Sequence, residues 1–326
     1  MMRQLILLLI FIIISPLLYA IISRTKAFLV GKKGIPFLFN YYTLIKLFRK
    51  NVIYSKTITP IFKVAPIINL SAILLVLMFL PLGNLSPLLS FKGDVLFIFY
   101  LLTLGKIFMV LAGVDTGSSF EGMGCAREVF FSALGEIVLF LIFIMFYRLT
   151  NQLELSSYFV EGKLILHSKA TLIPIIFISI ALFVILLLEN ARVPVDDPLT
   201  HLELTMIHEV MILDYSGPDL GIIHLTSQLK MFFYAALISN LLMPVTSVMS
   251  IVPIIPVMPV TSGMFSVDVI LPFSQLIVFT AILISVYVIV GVVESSMGRY
   301  QLKRVPKFVL SSLVLVVLAT ILTWRG

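Results

Sequence analysis

The chain has 326 residues, a mean hydropathy of +1.15 and 60% hydrophobic against 12% charged side chains, with a formal charge of +7. Its repeated apolar runs of about twenty residues exclude a soluble globule and call for membrane-spanning helices, because backbone in lipid must satisfy its own hydrogen bonds. A β-barrel would show short alternating segments instead. The single cysteine, Cys125, excludes an intramolecular disulfide, a self-contained iron–sulfur cluster and a cysteine-based zinc site. The positive charge is distributed by loop, so it reads as a topology signal and not as a nucleic-acid footprint.

Residues 4–22 form the first apolar run. Residues 18–20 resemble a weak signal-peptidase site, but the run is long and a basic segment follows, so a retained span is expected. Residues 23–65 carry nine Lys/Arg and no Asp or Glu. The positive-inside rule places them in the cytoplasm and the N-terminus outside. Within them, residues 37–50 have helical spacing, with Tyr41, Leu44, Ile45 and Phe48 on one face and Asn40, Thr43, Lys46 and Lys50 on another. This is an interfacial amphipathic helix. An anchor for anionic lipid explains the same spacing.

Further spans are expected at about 66–82, 95–113, 129–147, 170–189, 228–248, 269–292 and 308–324, which makes about eight. Alternating sides then place sixteen Lys/Arg inside and six outside, with Lys106 inside a span. The expected fold is an all-α polytopic protein, residues 1–326 forming one integral membrane domain with both termini outside. Residues 114–128 are expected as a cytoplasmic loop whose small residues permit close backbone approach, carrying Asp115, Arg127 and Glu128. Residues 249–267, with Pro253, Pro256 and Pro259 and no charge, read as an outside connector with polyproline character.

Two ionisable groups lie inside spans. Lys106 and Glu136 are expected about 9 and 11 Å from the cytoplasmic ends of the third and fourth. Such groups face protein or water and mark ion pathways. Snorkelling is the competing account for Lys106. The partner of Glu136 is either Lys106 or Arg127.

The densest charge is in residues 189–219, which hold seven of the sixteen acidic residues: Glu189, Asp196, Asp197, Glu203, Glu209, Asp214 and Asp219. Arg192, His201 and His208 lie among them. Pro194 and Pro198 exclude a helix interior before 198. A short helix is expected over 198–213, with His201, Thr205 and His208 on one face. Residues 215–218 supply turn chemistry. The two histidines match no standard zinc spacing, so no metal site is expected.

The wording of this stretch resembles one family. It is the membrane subunit of respiratory complex I that contacts the peripheral arm, with its counterpart in membrane-bound nickel–iron hydrogenases. Glu189, Arg192, Pro194, Asp196, Glu203 and Tyr215-Ser216 match the family's loop between fifth and sixth helices. The text PVDDPLTHLELTMIHE is similar to the hydrogenase clade, including formate hydrogenlyase. Residues 31–50 resemble the stretch between first and second helices, although Asn40 and Thr43 stand where complex I members usually have Gln and Asp. Residues 114–128, with Arg127 and Glu136, resemble the third-to-fourth loop and the helix after it.

The resemblance implies a non-catalytic subunit in a prokaryotic cell membrane. It would anchor peripheral iron–sulfur and hydrogenase-type subunits, sit beside antiporter-like membrane subunits, and couple electron transfer to H⁺ or Na⁺ movement. It also implies that the second to sixth helices form a unit like half an antiporter-like subunit. Iron–sulfur clusters and a nickel–iron centre would belong to the partners, with no cofactor in this chain. The alternatives are a stand-alone secondary ion transporter, which lacks a visible repeat, and an intramembrane enzyme built on Asp196, Asp197, His201 and His208.

Overall fold

A computed structural model describes residues 2–83, 85–159, 172–196, 206–248 and 267–324. Their elements are α1 (Met2–Leu29), α2 (Phe39–Phe48), α3 (Pro60–Met78), α4 (Asp94–Asp115), α5 (Ser119–Thr150), α6 (Leu155–Phe159), α7 (Leu172–Glu189), α8 (His208–Met211), α9 (Gly217–Val248), α10 (Val267–Ser296) and α11 (Val305–Trp324). No strand occurs among the described residues. Seven helices among the described residues are long and apolar enough to cross a membrane, and the shorter α7 is an eighth apolar helix. Residues 249–266 lie outside the described residues, and with them the expected connector.

The crossing helices alternate in direction, so the two sets of connections gather at opposite ends. At one end Ser216 Oγ bonds the Ile53 carbonyl, Thr59 bonds Asp115, and the Tyr300 amide bonds the Pro194 carbonyl. At the other, the Gly93 amide bonds the Leu153 carbonyl and Gln4 bonds Ser86. The first end carries residues 24–59 with their lysines and arginines and is called the charged end below. Large apolar side chains such as Ile13, Tyr100, Ile137 and Val314 are exposed along the outside, as a lipid-facing surface requires.

Helix α9 is the central element. Of its apolar stretch, 72% is buried, against 28–44% in the other six long helices. Surrounded by protein and not by lipid, it can hold polar residues. Asn240 on α9 accepts from the Gly83 amide and donates to the Pro81 carbonyl, tying down the connection after α3.

A proline seats α2. Pro16 inside α1 has no N–H for the Ile12 carbonyl, and the Ser15 hydroxyl supplies the bond at 3.0 Å. The adjoining Ile13 carbonyl takes the Tyr41 hydroxyl, and the Pro16 carbonyl takes Asn40 Nδ2 at 2.8 Å. The amphipathic helix is therefore present, but its packed face differs from the expected one. Leu44 is buried with Asn40, Tyr41, Thr43 and Leu47 half-buried around it, while Ile45 and Phe48 are exposed. Asn40 turns inward because the chain around Pro16 offers a polar acceptor that hydrophobic periodicity does not register, whereas the Thr43 hydroxyl bonds the Phe39 carbonyl of its own helix.

Three boundaries also differ. Residues 114–128 are not a loop: α4 runs to Asp115, α5 starts at Ser119, and only three residues connect them. Glu136 is thus 17 residues from the start of α5, about 26 Å along the axis and not about 11 Å. Gly217 and Pro218 open α9 instead of closing a turn, since proline's fixed φ suits a first helical turn and Asp219 favours the helix N-terminus. Of the helix expected over 198–213, the described part is the single turn α8.

Glycines allow the close approach expected of residues 114–128. A Cβ at Gly113 would strike Cys125 Sγ, and one at Gly124 would strike Val210 Cγ1 on α8 and lie 3.1 Å from the Ile207 carbonyl. Gly122 has open space around it. Gly124→Val is expected to lower stability by about 1–3 kcal/mol through overpacking. Gly122→Ala is expected to leave it unchanged or raise it. Thermal melting of the two purified variants in detergent measures the difference.

Candidate functional site

The site starts from Glu189, the last residue of α7, which is buried. Its Oε1 lies 2.7 Å from Lys106 Nζ on α4, and its Oε2 lies 2.8 Å from Lys230 Nζ on α9. Lys106 Nζ also lies 3.2 Å from Glu136 Oε1 on α5 and donates to Ser132 Oγ at 3.0 Å. Thr103 Oγ1 donates to the same Glu136 oxygen. Glu136, Lys106, Glu189 and Lys230 therefore alternate in sign along one chain drawn from four helices. Lys106 turns inward, so snorkelling is not its role, and it is the partner of Glu136. Gly135 makes the approach of α7 to α5 possible: a Cβ there would lie 2.6 Å from Leu188 Cδ2 and 3.6 Å from Glu189 Oε1.

This chain opens toward the charged end through a cleft lined by Glu128, Ser132, Glu189, Ala191, Asp196 and Ile207. Asp196 is buried beside it. Its Oδ1 pairs with Arg299 at 2.9 Å, and its Oδ2 accepts from the Ile207 and His208 amides. Arg127 Nη1 donates to the Met206 carbonyl at 2.7 Å. The cleft thus places two sequence-predicted carboxylates, Glu189 and Asp196, on one space with a third, Glu128.

Arg192 leaves this cluster. Its Nη1 lies 2.9 Å from Glu294 Oε1 on α10, Glu294 Oε2 lies 2.9 Å from Lys26 Nζ on α1, and the guanidinium stacks on Tyr19 at 4.1 Å. The other predicted residues serve the junction of the connections. Asp115 accepts from the Thr59 amide and hydroxyl at 2.7 and 2.9 Å. Asp214 is exposed, and its amide donates to Glu121. His208 and Glu209 are half-buried on α8. Asp197, His201 and Glu203 lie outside the described residues.

Two phenols close the junction. Tyr54 donates to Asp219 Oδ2 at 2.7 Å, and burial together with that carboxylate pushes its pKa up to about 12. Tyr215 donates to the Phe62 carbonyl and stacks on the Phe62 ring at 3.9 Å, and burial raises its pKa further. Both remain protonated donors throughout the physiological range.

Sequence reading missed Lys230, Glu294, Lys26, Arg299 and Glu121. Lys230 appeared to lie at a membrane edge because the span seemed to begin at 228. With α9 starting at Gly217, it is 13 residues in. A lysine followed by an unbroken apolar run, like a glutamate closing one at 294, was the available signal.

A model of the NADH dehydrogenase family matches residues 3–325. Hydrogenase-4 component C of Escherichia coli K12 is 26% identical over 236 residues, covering 72% of this chain and 73% of the relative. Formate hydrogenlyase subunit 4 of the same organism is 22% identical over 294 residues, covering 90% and 89%. Among solved structures, a chain of the membrane-bound sulfane sulfur reductase, an archaeal respiratory membrane complex, superposes with a TM-score of 0.75 at 18% identity, covering 98% of each chain. At that identity the likeness shows a shared fold.

Glu189 holds two lysines, and Glu136 shares only one. Glu189→Gln leaves Lys230 without its carboxylate and is expected to cost about 3–5 kcal/mol. Glu136→Gln keeps the Lys106–Glu189–Lys230 segment and is expected to cost markedly less. The melting temperatures of the purified variants rank the two.

Proposed function

The chain belongs to the NADH dehydrogenase family, and from that membership we propose that it couples electron transfer in a peripheral arm to ion movement in the membrane. It is a multi-pass membrane subunit of the complex I-like, membrane-bound hydrogenase type. The named relatives are components of hydrogenase-4 and formate hydrogenlyase, and the structural neighbour belongs to a respiratory membrane complex. The observation that carries the coupling role is the alternating chain Glu136–Lys106–Glu189–Lys230, gathered from four helices around the buried Glu189 and continuous with a cleft that reaches Asp196.

Alternation suits that task. In a low-dielectric interior each carboxylate is held by its neighbouring ammonium. A charge shift at Asp196 or Glu128 alters the field at Glu189, and the next pair re-sorts its proton. Ionisable groups kept at membrane depth against their desolvation cost are commonly part of an ion route. The arm would dock on the charged end, where α2, the start of α5 and residues 206–219 lie side by side. Redox centres would sit in the docked iron–sulfur and hydrogenase-type subunits, because this chain has one cysteine. Antiporter-like membrane subunits would carry the ion onward, as H⁺ or Na⁺. The charged end would face the cytoplasm and both termini the outside.

Orientation is tested with Cys125→Ser and one new cysteine at a time. Ser55→Cys is expected to resist impermeant thiol reagents in right-side-out vesicles, and Ser90→Cys to label; the reverse rejects the orientation. Coupling is tested with Glu136→Gln and Glu128→Gln. Both are expected to assemble with their redox partners, while ion uptake into inverted vesicles falls at least tenfold. Normal uptake by both assembled variants rejects the path, and activity of the chain alone in vesicles supports a stand-alone transporter.

A further inference from the structure

Away from the Glu189 chain, six buried side chains among the described residues hold polar atoms with no hydrogen-bond partner, and two of them come to one level of the interior. They are Arg192, at Nε and Nη2, and Tyr287 on α10, at its hydroxyl. Arg192 is 5% exposed and Tyr287 0%. A guanidinium has five N–H donors, and here only Nη1 is answered, by Glu294.

The register of α1 against α10 places these atoms together. The helices run parallel. Phe11 meets Phe279 edge-on and Lys26 meets Glu294, and both pairs are separated by 268 residues. The space left by Gly291 between them is taken by Thr25 and the Ile22 carbonyl, in keeping with the same offset. That offset sets Tyr287 level with Tyr19. The Arg192 guanidinium carbon lies over the Tyr19 ring, 4.1 Å from its centroid. The unanswered nitrogens of Arg192 and the unanswered Tyr287 hydroxyl thus share one level of the interior, between α1, α10 and the end of α7.

Buried polar groups of this kind are ordinarily satisfied by internal water, which needs two to four polar partners. Arg192 offers donors, and the Tyr287 hydroxyl both donates and accepts. An anion fits less well, since the Glu294 carboxylate and the electron-rich face of Tyr19 border the same space. We propose that bound water occupies the space between Tyr19, Arg192 and Tyr287 and completes the hydrogen bonding of the Arg192–Glu294–Lys26 chain. Glu294 is then a hydrated carboxylate partner and not a dry one. The segment beginning at Arg192, three residues beyond Glu189, can rearrange its charges without stripping Arg192 of every partner. The site does not depend on the coupling role, and its test reads hydration directly.

X-ray radiolytic footprinting of the purified protein compares Tyr287 with Phe279. Both are fully buried on α10, but only Tyr287 faces the proposed water. Tyr287 is expected to be oxidised at least tenfold faster than Phe279, with rapid incorporation of ¹⁸O from labelled solvent. Equal protection of both, or equal labelling of both, overturns the proposal. So does an anomalous bromide peak at Arg192 in bromide-soaked crystals, which identifies an anion in place of water.

Discussion

One carboxylate holds the interior together. Glu189 ends α7 inside the protein, and lysines from α4 and α9 approach its two oxygens from different sides. A charge there is tolerable only when paired, because an uncompensated buried ion costs several kcal/mol. The constraint propagates outward. Lys106 must turn inward, so Glu136 and Ser132 on α5 gather around it. α7 must come close to α5, so position 135 has no side chain. α9 must present a lysine deep in the protein, so it is the central helix and not a lipid-facing one.

The connections at the charged end are fastened by polar contacts as well as by apolar packing of Met211, Ile212 and Tyr215 against Phe62, Met109 and Cys125. Residues 190–196 are held by Glu294, Arg299 and the Tyr300 amide, all around the corner between α10 and α11. Residues 206–219 are held by Asp196, Arg127, Glu121 and Tyr54. Hydrogen bonds and ion pairs have alternative partners and respond to charge, whereas the apolar packing of the spans does not. The protein therefore combines a rigid apolar frame with a charge-sensitive end.

Burial and hydropathy are separate properties in this fold. The outer helices are apolar because they meet lipid. α9 meets protein almost everywhere and carries Gln228, Lys230, Ser239 and Asn240. Lys230 meets Glu189 there, and Asn240 ties the connection after α3.

Much was determined by the sequence alone. Apolar runs of spanning length require helices, because lipid offers the backbone no hydrogen bonds. Arginines and lysines crowded between the first two runs define one end. Lys106, Glu136 and Glu189 stand out because ions in apolar runs need a purpose, and the wording of residues 189–216 identifies the family. Tertiary structure decided which charges meet. Lys230 and Glu294 looked like span-edge residues until the extended helices carried them inward. Arg192 sits three residues after Glu189 yet joins a different chain, because the backbone leaves the helix between them and turns toward α10. Asn40 packs inward because Pro16, inside α1, leaves a polar acceptor there. Partners of this kind lie far apart along the chain, so neither periodicity nor local propensity encodes them. They are fixed only when the helices pack.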